Sequence, residues 1–384
     1  MNRTAETLEV KYTPTTPTLY MAFELSNAKW KIAFSNGEKI RTLTINAKDL
    51  AKLQLEIEKA KQKLGLSVEV PVVSCYEAGR DGFWLHRYLL GLGLDNKVVD
   101  SASIEVNRRS RRAKSDTLDA DVLLRMLLRH CRGEKGLWSE VNVPAPEAED
   151  ERRLHRELDR LRKEVTSHRN RIRSLLVLHG LTVPGWNSDF PQFLDTARTL
   201  DNRPLPVALK SEIVHELERL ELVAKQVKEL EKEQLARVQA AEENTAPWMV
   251  KHLVEYCGIG VTSAWVFVME FYSWRDFKNR RQVASLAGLT PSPYDSGNSK
   301  REQGISKAGN CRVRRMAVEI AWCWLRYQPK SKLSQWFNSR FGEGGKRMRR
   351  IGIVALARKI LVAIWRLFKY GVEPEGVRRK AMAC

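Results

Sequence analysis

LYMAFELSNAKWKIAFSNGEKIRTLTI, residues 19–45, decides how the N-terminal part of this chain folds. Leu19–Leu25 and Trp30–Phe34 are apolar-rich runs of strand length, and Lys39–Ile45 alternates apolar with polar residues, the period of a strand with one buried face. Between the second and third runs stands Ser35-Asn36-Gly37-Glu38. Asn-Gly is the strongest short hairpin signal, because both residues accept the positive φ that a tight turn between strands requires. Working outward, Asp49–Leu64 carries Leu50, Leu53, Leu55, Ile57 and Leu64 at helical spacing among Lys and Glu. Val68–Tyr76 is the largely apolar run expected of a strand buried on both faces. Asp81–Leu90 then reads as a helix, Lys97–Val99 as a short strand and Ser115–His130 as a long helix.

Three-strand meander, helix, strand, helix, strand, helix is the order of the ribonuclease H-like architecture, so residues 15–135 are expected to form an α/β domain of that type. The pattern changes after Glu147. Leu154, Leu158, Leu161, Val165, His168, Ile172 and Leu175 step by fours and threes, a heptad seam, and Ile213, Leu217, Leu220, Ala224 and Val227 repeat it. Residues 147–245 therefore read as coiled-coil helices, either folded back as an antiparallel hairpin or paired with another subunit, with a role in self-association. Residues 250–384 read as a mostly helical C-terminal domain whose Cys257-Gly258-Ile259-Gly260 turn resembles that of a helix-hairpin-helix.

The 384 residues include 66 Lys+Arg against 46 Asp+Glu, a net charge of +20. From Gly297 onward 21 basic residues face 5 acidic ones, a net of +16, which leaves +4 for the first 296. That surplus points to a polyanion, most simply nucleic acid. A second basic cluster, Arg108, Arg109, Arg111, Arg112 and Lys114, stands directly before a pair of acids. No apolar run approaches the roughly 18 residues of a membrane span. The opening Met-Asn-Arg-Thr-Ala-Glu contains an acid and no apolar segment, unlike a signal peptide. Six dispersed cysteines without a Cys-x-x-Cys pair argue for reduced thiols in a cytoplasm and against a zinc ribbon.

Four acids of the first domain stand out by position. Glu24 lies in the first strand, Glu77 ends the central strand, and Asp116 and Asp119 open the helix after the basic cluster. Residues three apart share a helix face, whereas Asp121 points elsewhere. In a ribonuclease H-like sheet these elements converge, and carboxylates packed together need cations; Mg²⁺, which prefers oxygen ligands, suits them. Two such ions about 4 Å apart can clamp the entering and leaving oxygens of a phosphodiester displacement. For the Asp pair alone, helix capping by Ser115 and the helix dipole are sufficient local reasons.

In the C-terminal domain, Gly258 and Gly260 form a turn whose N–H groups can hold a phosphate, although a tight turn needs glycine anyway. Ser296 precedes Gly297 in an expected loop rich in serine (Ser292, Ser299, Ser306), flanked by Lys300, Arg301, Lys307, Asn310, Arg312, Arg314 and Arg315. A serine hydroxyl becomes a nucleophile when a base takes its proton or cations stabilise the alkoxide. No histidine stands nearby in sequence, so a hydrolase triad is not indicated.

Together these residues resemble the DEDD-type insertion-sequence transposases, bridge-RNA-guided serine recombinases of bacteria and archaea. The resemblance covers nearly the whole chain. It rests on Lys114-Ser115-Asp116-Thr117-Leu118-Asp119-Ala120, Gly258-Ile259-Gly260, Ala287-Gly288-Leu289-x-Pro291, Ser296-Gly297 and Ile305-Ser306-Lys307-x-Gly309-Asn310. It implies a Holliday-junction-resolvase-like domain in which Glu24, Glu77, Asp116 and Asp119 bind Mg²⁺ (or Mn²⁺). It implies Ser296 as the nucleophile that forms a phosphoserine link to DNA, and a structured guide RNA that pairs with target and donor. It further implies a dimer or tetramer with composite sites, in the cytoplasm and associated with the prokaryotic nucleoid. One departure is visible: the family's first acid is usually Asp, and Glu24 carries an extra methylene. Two other readings stay open, a structure-selective Mg²⁺-dependent endonuclease and an inactive nucleic-acid-binding scaffold.

Overall fold

The computed structural model describes residues 16–104, 116–183, 185–186, 189–296 and 299–380, with the backbone alone for 102, 116–119, 294–296 and 299–302. The chain forms two compact units, residues 1–143 and 144–384.

The first unit is a mixed α/β fold on a five-stranded sheet. Its elements are β1 (Leu19–Leu25), β2 (Lys29–Ser35), β3 (Ile40–Asn46), α1 (Leu50–Lys63), β4 (Val72–Glu77), α2 (Trp84–Gly91), β5 (Asp95–Val99) and α3 (Asp116–Cys131). The sheet order is β3-β2-β1-β4-β5. β1 to β3 form the antiparallel meander, and β1, β4 and β5 run parallel. The Asn-Gly turn forms as its sequence predicts: Gly37 has φ +99°, and Asn36 Oδ1 accepts from the N–H groups of Glu38 and Lys39 at 3.1 and 2.9 Å. β4 starts at Val72 rather than Val68, since Pro71 has no N–H for a ladder and Val68 stays exposed.

The two faces of the sheet carry different loads. Leu19, Met21 and Phe23 join Leu53, Ile57 and Leu85 of α1 and α2. Tyr20, Ala22, Ala33 and Cys75 face Ala120, Leu123, Leu124 and Leu127 of α3. Ala22, Ala33 and Ala120 are fully buried, and such small side chains let the helix lie close to the strands.

The second unit opens with α4 (Pro146–Val177), α5 (Phe190–Thr196) and α6 (Val207–Gln239). Leu154, Leu158, Leu161, Ile172 and Leu175 of the expected seam are buried, as are Ile213 and Leu220 on α6. Arg162 pairs with Glu231, His168 with Glu216 and Arg171 with Glu212. Numbers rising on α4 against numbers falling on α6 show an antiparallel pair within one chain. Phe190 and Leu194 of α5 complete its apolar cluster.

The remainder comprises α7 (Ala246–Val254), α8 (Val261–Phe267), a π-helical turn (Val268–Tyr272), α9 (Arg280–Leu286), β6 (Pro291–Ser296), β7 (Ser299–Ile305), α10 (Cys311–Tyr327), α11 (Lys332–Phe341) and α12 (Lys346–Tyr370). The expected loop around Ser296 is instead a β-hairpin, β6 against β7. Among the described residues no helix is long and apolar enough to cross a membrane.

Candidate active site

Phe23 of β1 faces Tyr76 of β4 in parallel register. The next residues, Glu24 and Glu77, therefore stand side by side at the C-terminal ends of two strands about 4.8 Å apart. By alternation they share the face of Tyr20, Ala22 and Cys75, which is the face covered by α3. Cys75 Sγ lies 3.8 Å from Leu123 O, and Arg132, just past α3, donates to Gly37 O at the β2–β3 turn at 3.1 Å. The helix thus runs back along β1, and its first residue, Asp116, lies toward the end of the sheet that carries Glu24 and Glu77. Asp121 is engaged elsewhere, its Oδ1 accepting from the Thr42 hydroxyl at 3.2 Å. Among the described residues no group of three or more His, Cys, Asp or Glu side chains is assembled to hold a metal; the side chains of Asp116 and Asp119 lie outside that set. Arg108, Arg109, Arg111, Arg112, Lys114 and the proposed cap Ser115 also lie outside the described residues.

In the second unit Ser296 is the last residue of β6 and pairs with Ser299 across the hairpin; Arg301 pairs with Tyr294, and Lys300 with Asp295. The base of this hairpin is where two glycine motifs cross. Ser306 N–H donates to Thr290 O at 2.9 Å, Lys307 N–H to Gly288 O at 3.2 Å and Asn310 N–H to Leu286 O at 2.8 Å. A Cβ on Gly288 would fall 2.1 Å from Ala308 O, and one on Gly309 would fall 2.2 Å from Leu286 O. Both glycines also have positive φ, +66° and +78°. Gly309→Ala is therefore expected to lower stability by about 2–3 kcal/mol, from backbone strain and separation of the crossing strands. Chemical denaturation checks this, with Gly304→Ala, also at positive φ but facing open space, as the milder control.

Several residues expected to bind nucleic acid also have work inside the fold. Asn310 Oδ1 caps α10, accepting from Arg312 and Val313 N–H. Arg314 donates to Ala287 O and Ala308 O at 3.3 and 3.2 Å, tying the crossing together. Arg315 pairs with Asp159 of α4 at 3.0 Å. Arg312 lines a groove with Arg156, Arg160 and Lys163 of α4, and Lys307 is exposed. At the Gly-x-Gly turn, a Cβ on Gly258 would lie 3.3 Å from Cys323 O of α10. Lys380 Nζ donates to Ile259 O at 3.0 Å, and Cys257 N–H donates to Arg378 O at 3.0 Å. Gly260 is the N-cap of α8, its N–H donating to Ser263 Oγ at 3.1 Å.

One residue escapes a reading of the sequence. Glu270, in the π-helical turn, is 1% exposed. It accepts from His155 Nε2 at 2.9 Å, from Arg156 Nε and Nη2 at 2.7 and 2.9 Å, and from Asn310 Nδ2 at 3.0 Å. Burial alone pushes its carboxyl up, but the hydrogen bonds from His155 and Arg156 outweigh this and hold it well below the ordinary carboxylate range. The carboxylate joins α4 to the cap of α10, and thereby to the base of the serine hairpin. Its signal in the sequence was a lone acid in the apolar run 261–274, since a buried charge implies a partner. Two of those partners, His155 and Arg156, stand more than a hundred residues away.

The family model for IS116/IS110/IS902 transposases matches residues 250–335, which span α7 to the start of α11 and include the serine hairpin. The chain is 41% identical to y4rJ of Sinorhizobium fredii (strain NBRC 101917 / NGR234), a protein named as a transposase, over 94% of both chains. It is 26% identical to the transposase for insertion sequence element IS1111A of Coxiella burnetii, over 78% of each chain. It is 23% identical to the transposase for IS1328 of Yersinia enterocolitica, over 77% of this chain and 83% of that one. A match that runs through both units, and through the crossed glycine motifs that root the hairpin, leads to one conclusion: this chain belongs to the IS116/IS110/IS902 family of insertion-sequence transposases.

Proposed function

We propose that this transposase cuts and rejoins DNA through a phosphoserine intermediate on Ser296, with acids of a ribonuclease H-like first unit holding Mg²⁺. The observation that carries the metal reading is the placement of Glu24 beside Glu77 at the ends of two parallel strands, on the face that α3 covers. Two carboxylates at the ends of neighbouring strands repel each other, and a hard divalent cation with oxygen ligands offsets that repulsion. Glu24 and Glu77, joined by Asp116 and Asp119, would hold the ion; when bound, it supplies charge that stabilises phosphodiester displacement.

In the proposed step the Ser296 oxygen attacks phosphorus, an O–P bond forms, and one ester oxygen of the DNA leaves as a hydroxyl carrying the serine proton. Rejoining reverses this with a different DNA hydroxyl, so no bond energy is lost to hydrolysis. The family resemblance adds a structured guide RNA, which removes the need for base readout by the protein, and a dimer or tetramer in which acids of one subunit serve the serine of another. It also favours a cytoplasmic location.

The direct test is peptide mapping. The protein is incubated with duplex bearing the element ends, digested with protease and nuclease, and analysed by mass spectrometry. A nucleotide adduct on the peptide containing Ser296 is expected. Mg²⁺-dependent nicking without any adduct, lost on Asp116→Asn, would instead make the chain a structure-selective endonuclease.

A further inference from the structure

α12 poses a problem that the serine chemistry does not address, because Arg358, Lys359 and Arg366 interrupt its largely apolar stretch from Ile351 to Phe368. Ile353, Leu356, Ala357, Ile360, Leu361 and Ile364 face the core. The cations fall on a different stripe, at i, i+1 and i+8, with Val362 and Ala363 between them. Opposite this stripe α9 presents Arg280 and Arg281, and the two helices enclose a groove of about 570 Å³ with Thr290 on its wall. No carboxylate lines it. Among the described residues none of the five cations has an ion-pair partner, whereas Lys369, one turn beyond Arg366, is bonded to Asp276 at 2.8 Å. Lys359 is steadied from one side, its ammonium 4.4 Å from the centre of the Trp336 ring, a contact that fixes position without neutralising charge.

Five cations around one groove repel each other in the isolated protein, and an anion removes that cost. The spread of charge indicates which kind. From Arg358 to Arg366 the helix advances about 12 Å, and over that length one strand of a duplex presents about three phosphates. A single small anion would meet only part of the array. The floor of Ala284, Val362 and Ala363 is apolar and small, suited to the sugar edge of a strand and offering no donors for reading bases. We infer that the α9–α12 groove holds a phosphodiester backbone, taken from DNA or from structured RNA, as a sequence-independent anchor. The inference rests on this family's action on DNA but not on the serine chemistry.

The test uses the full-length protein with two fluorescent probes of equal phosphate number, a DNA duplex and an RNA hairpin, titrated by anisotropy over a range of salt. Arg358→Gln/Lys359→Gln/Arg366→Gln is expected to weaken binding about tenfold or more and to flatten the slope of log affinity against log salt by about 2–3. Arg280→Gln/Arg366→Gln alters only exposed side chains, so it serves if the triple variant melts early; its slope should flatten by about 2. Lys225→Gln/Lys228→Gln/Lys232→Gln, on exposed positions of α6, controls for net charge. Loss with one probe alone assigns the strand to DNA or to RNA. Unchanged slopes with both probes, or an equal loss in the α6 control, would overturn the inference. Failure to find an adduct on Ser296 would leave these binding results intact.

Discussion

Ser296→Ala is expected to abolish covalent protein–DNA adducts and to lower strand transfer by about 10⁴-fold or more, the scale seen when a covalent nucleophile is deleted. Binding and folding should survive. Ser296 ends β6 at the hairpin tip, far along the strand from the Gly288–Gly309 crossing that roots the hairpin, and Ser→Ala there removes one oxygen atom. The informative control is Ser299→Ala, which removes the serine paired with Ser296 across the hairpin. Ser306 already has a role at the hairpin base, where its Oγ accepts from the Thr290 hydroxyl at 3.2 Å. Adducts scored on denaturing gels should vanish for Ser296→Ala and persist for Ser299→Ala. The reverse pattern would transfer the nucleophile to Ser299.

The second large effect is structural. Glu270→Ala removes the acceptor shared by His155, Arg156 and Asn310 and leaves the donors of three residues without it. Removing one partner of a buried ion pair costs about 3–5 kcal/mol. The lower end applies here, because the Arg156 side chain is 42% exposed and can recover water. About 3 kcal/mol corresponds to a melting temperature lower by roughly 6–12 °C for a unit of this size, measurable by calorimetry. Strand transfer should fall as well, since Asn310 loses a partner at the hairpin base.

A pH dependence follows from the same carboxylate. Its pKa is lower in the folded protein than the ordinary 4.5, so the stability it contributes is complete above that value and is lost as pH falls below it. Wild-type protein should therefore lose more stability than Glu270→Gln between neutral pH and the acid side of 4.5. Equal losses would show that Glu270 is not the group responsible.

Much of the first unit was legible because its determinants are local. Asn36-Gly37 sets the first hairpin, period-two and period-3.6 apolar patterns mark β1 to β5 and α1 to α3, and Asp49 caps α1 by accepting from Lys52 N–H at 2.9 Å. The long helices were equally plain, since heptad spacing is a property of neighbours in sequence. The β6–β7 hairpin was not read. Its strands contain Pro291 and Pro293 and a charged run, Lys300-Arg301-Glu302, and Pro, Lys and Glu are depleted in strands. The usable signal was Gly297-Asn298, a two-residue Gly-Asn link between runs of strand length.

Residue type and spacing alone determined that this chain has a strand-rich N-terminal part, two long seam-bearing helices, a basic C-terminal segment, and acids and a serine worth testing. Only the tertiary structure decided that α4 and α6 pair with each other, that Glu24 stands beside Glu77, and that Gly288 and Gly309 are needed where two backbones touch. It also decided that Asn310 and Arg314 brace the hairpin and that five cations of α9 and α12 share one groove. Periodicity and turn chemistry act over a few residues and can be read along the chain. The crossing of backbones, the pairing of a buried charge and the convergence of like charges depend on which distant segments meet, and that is set by packing.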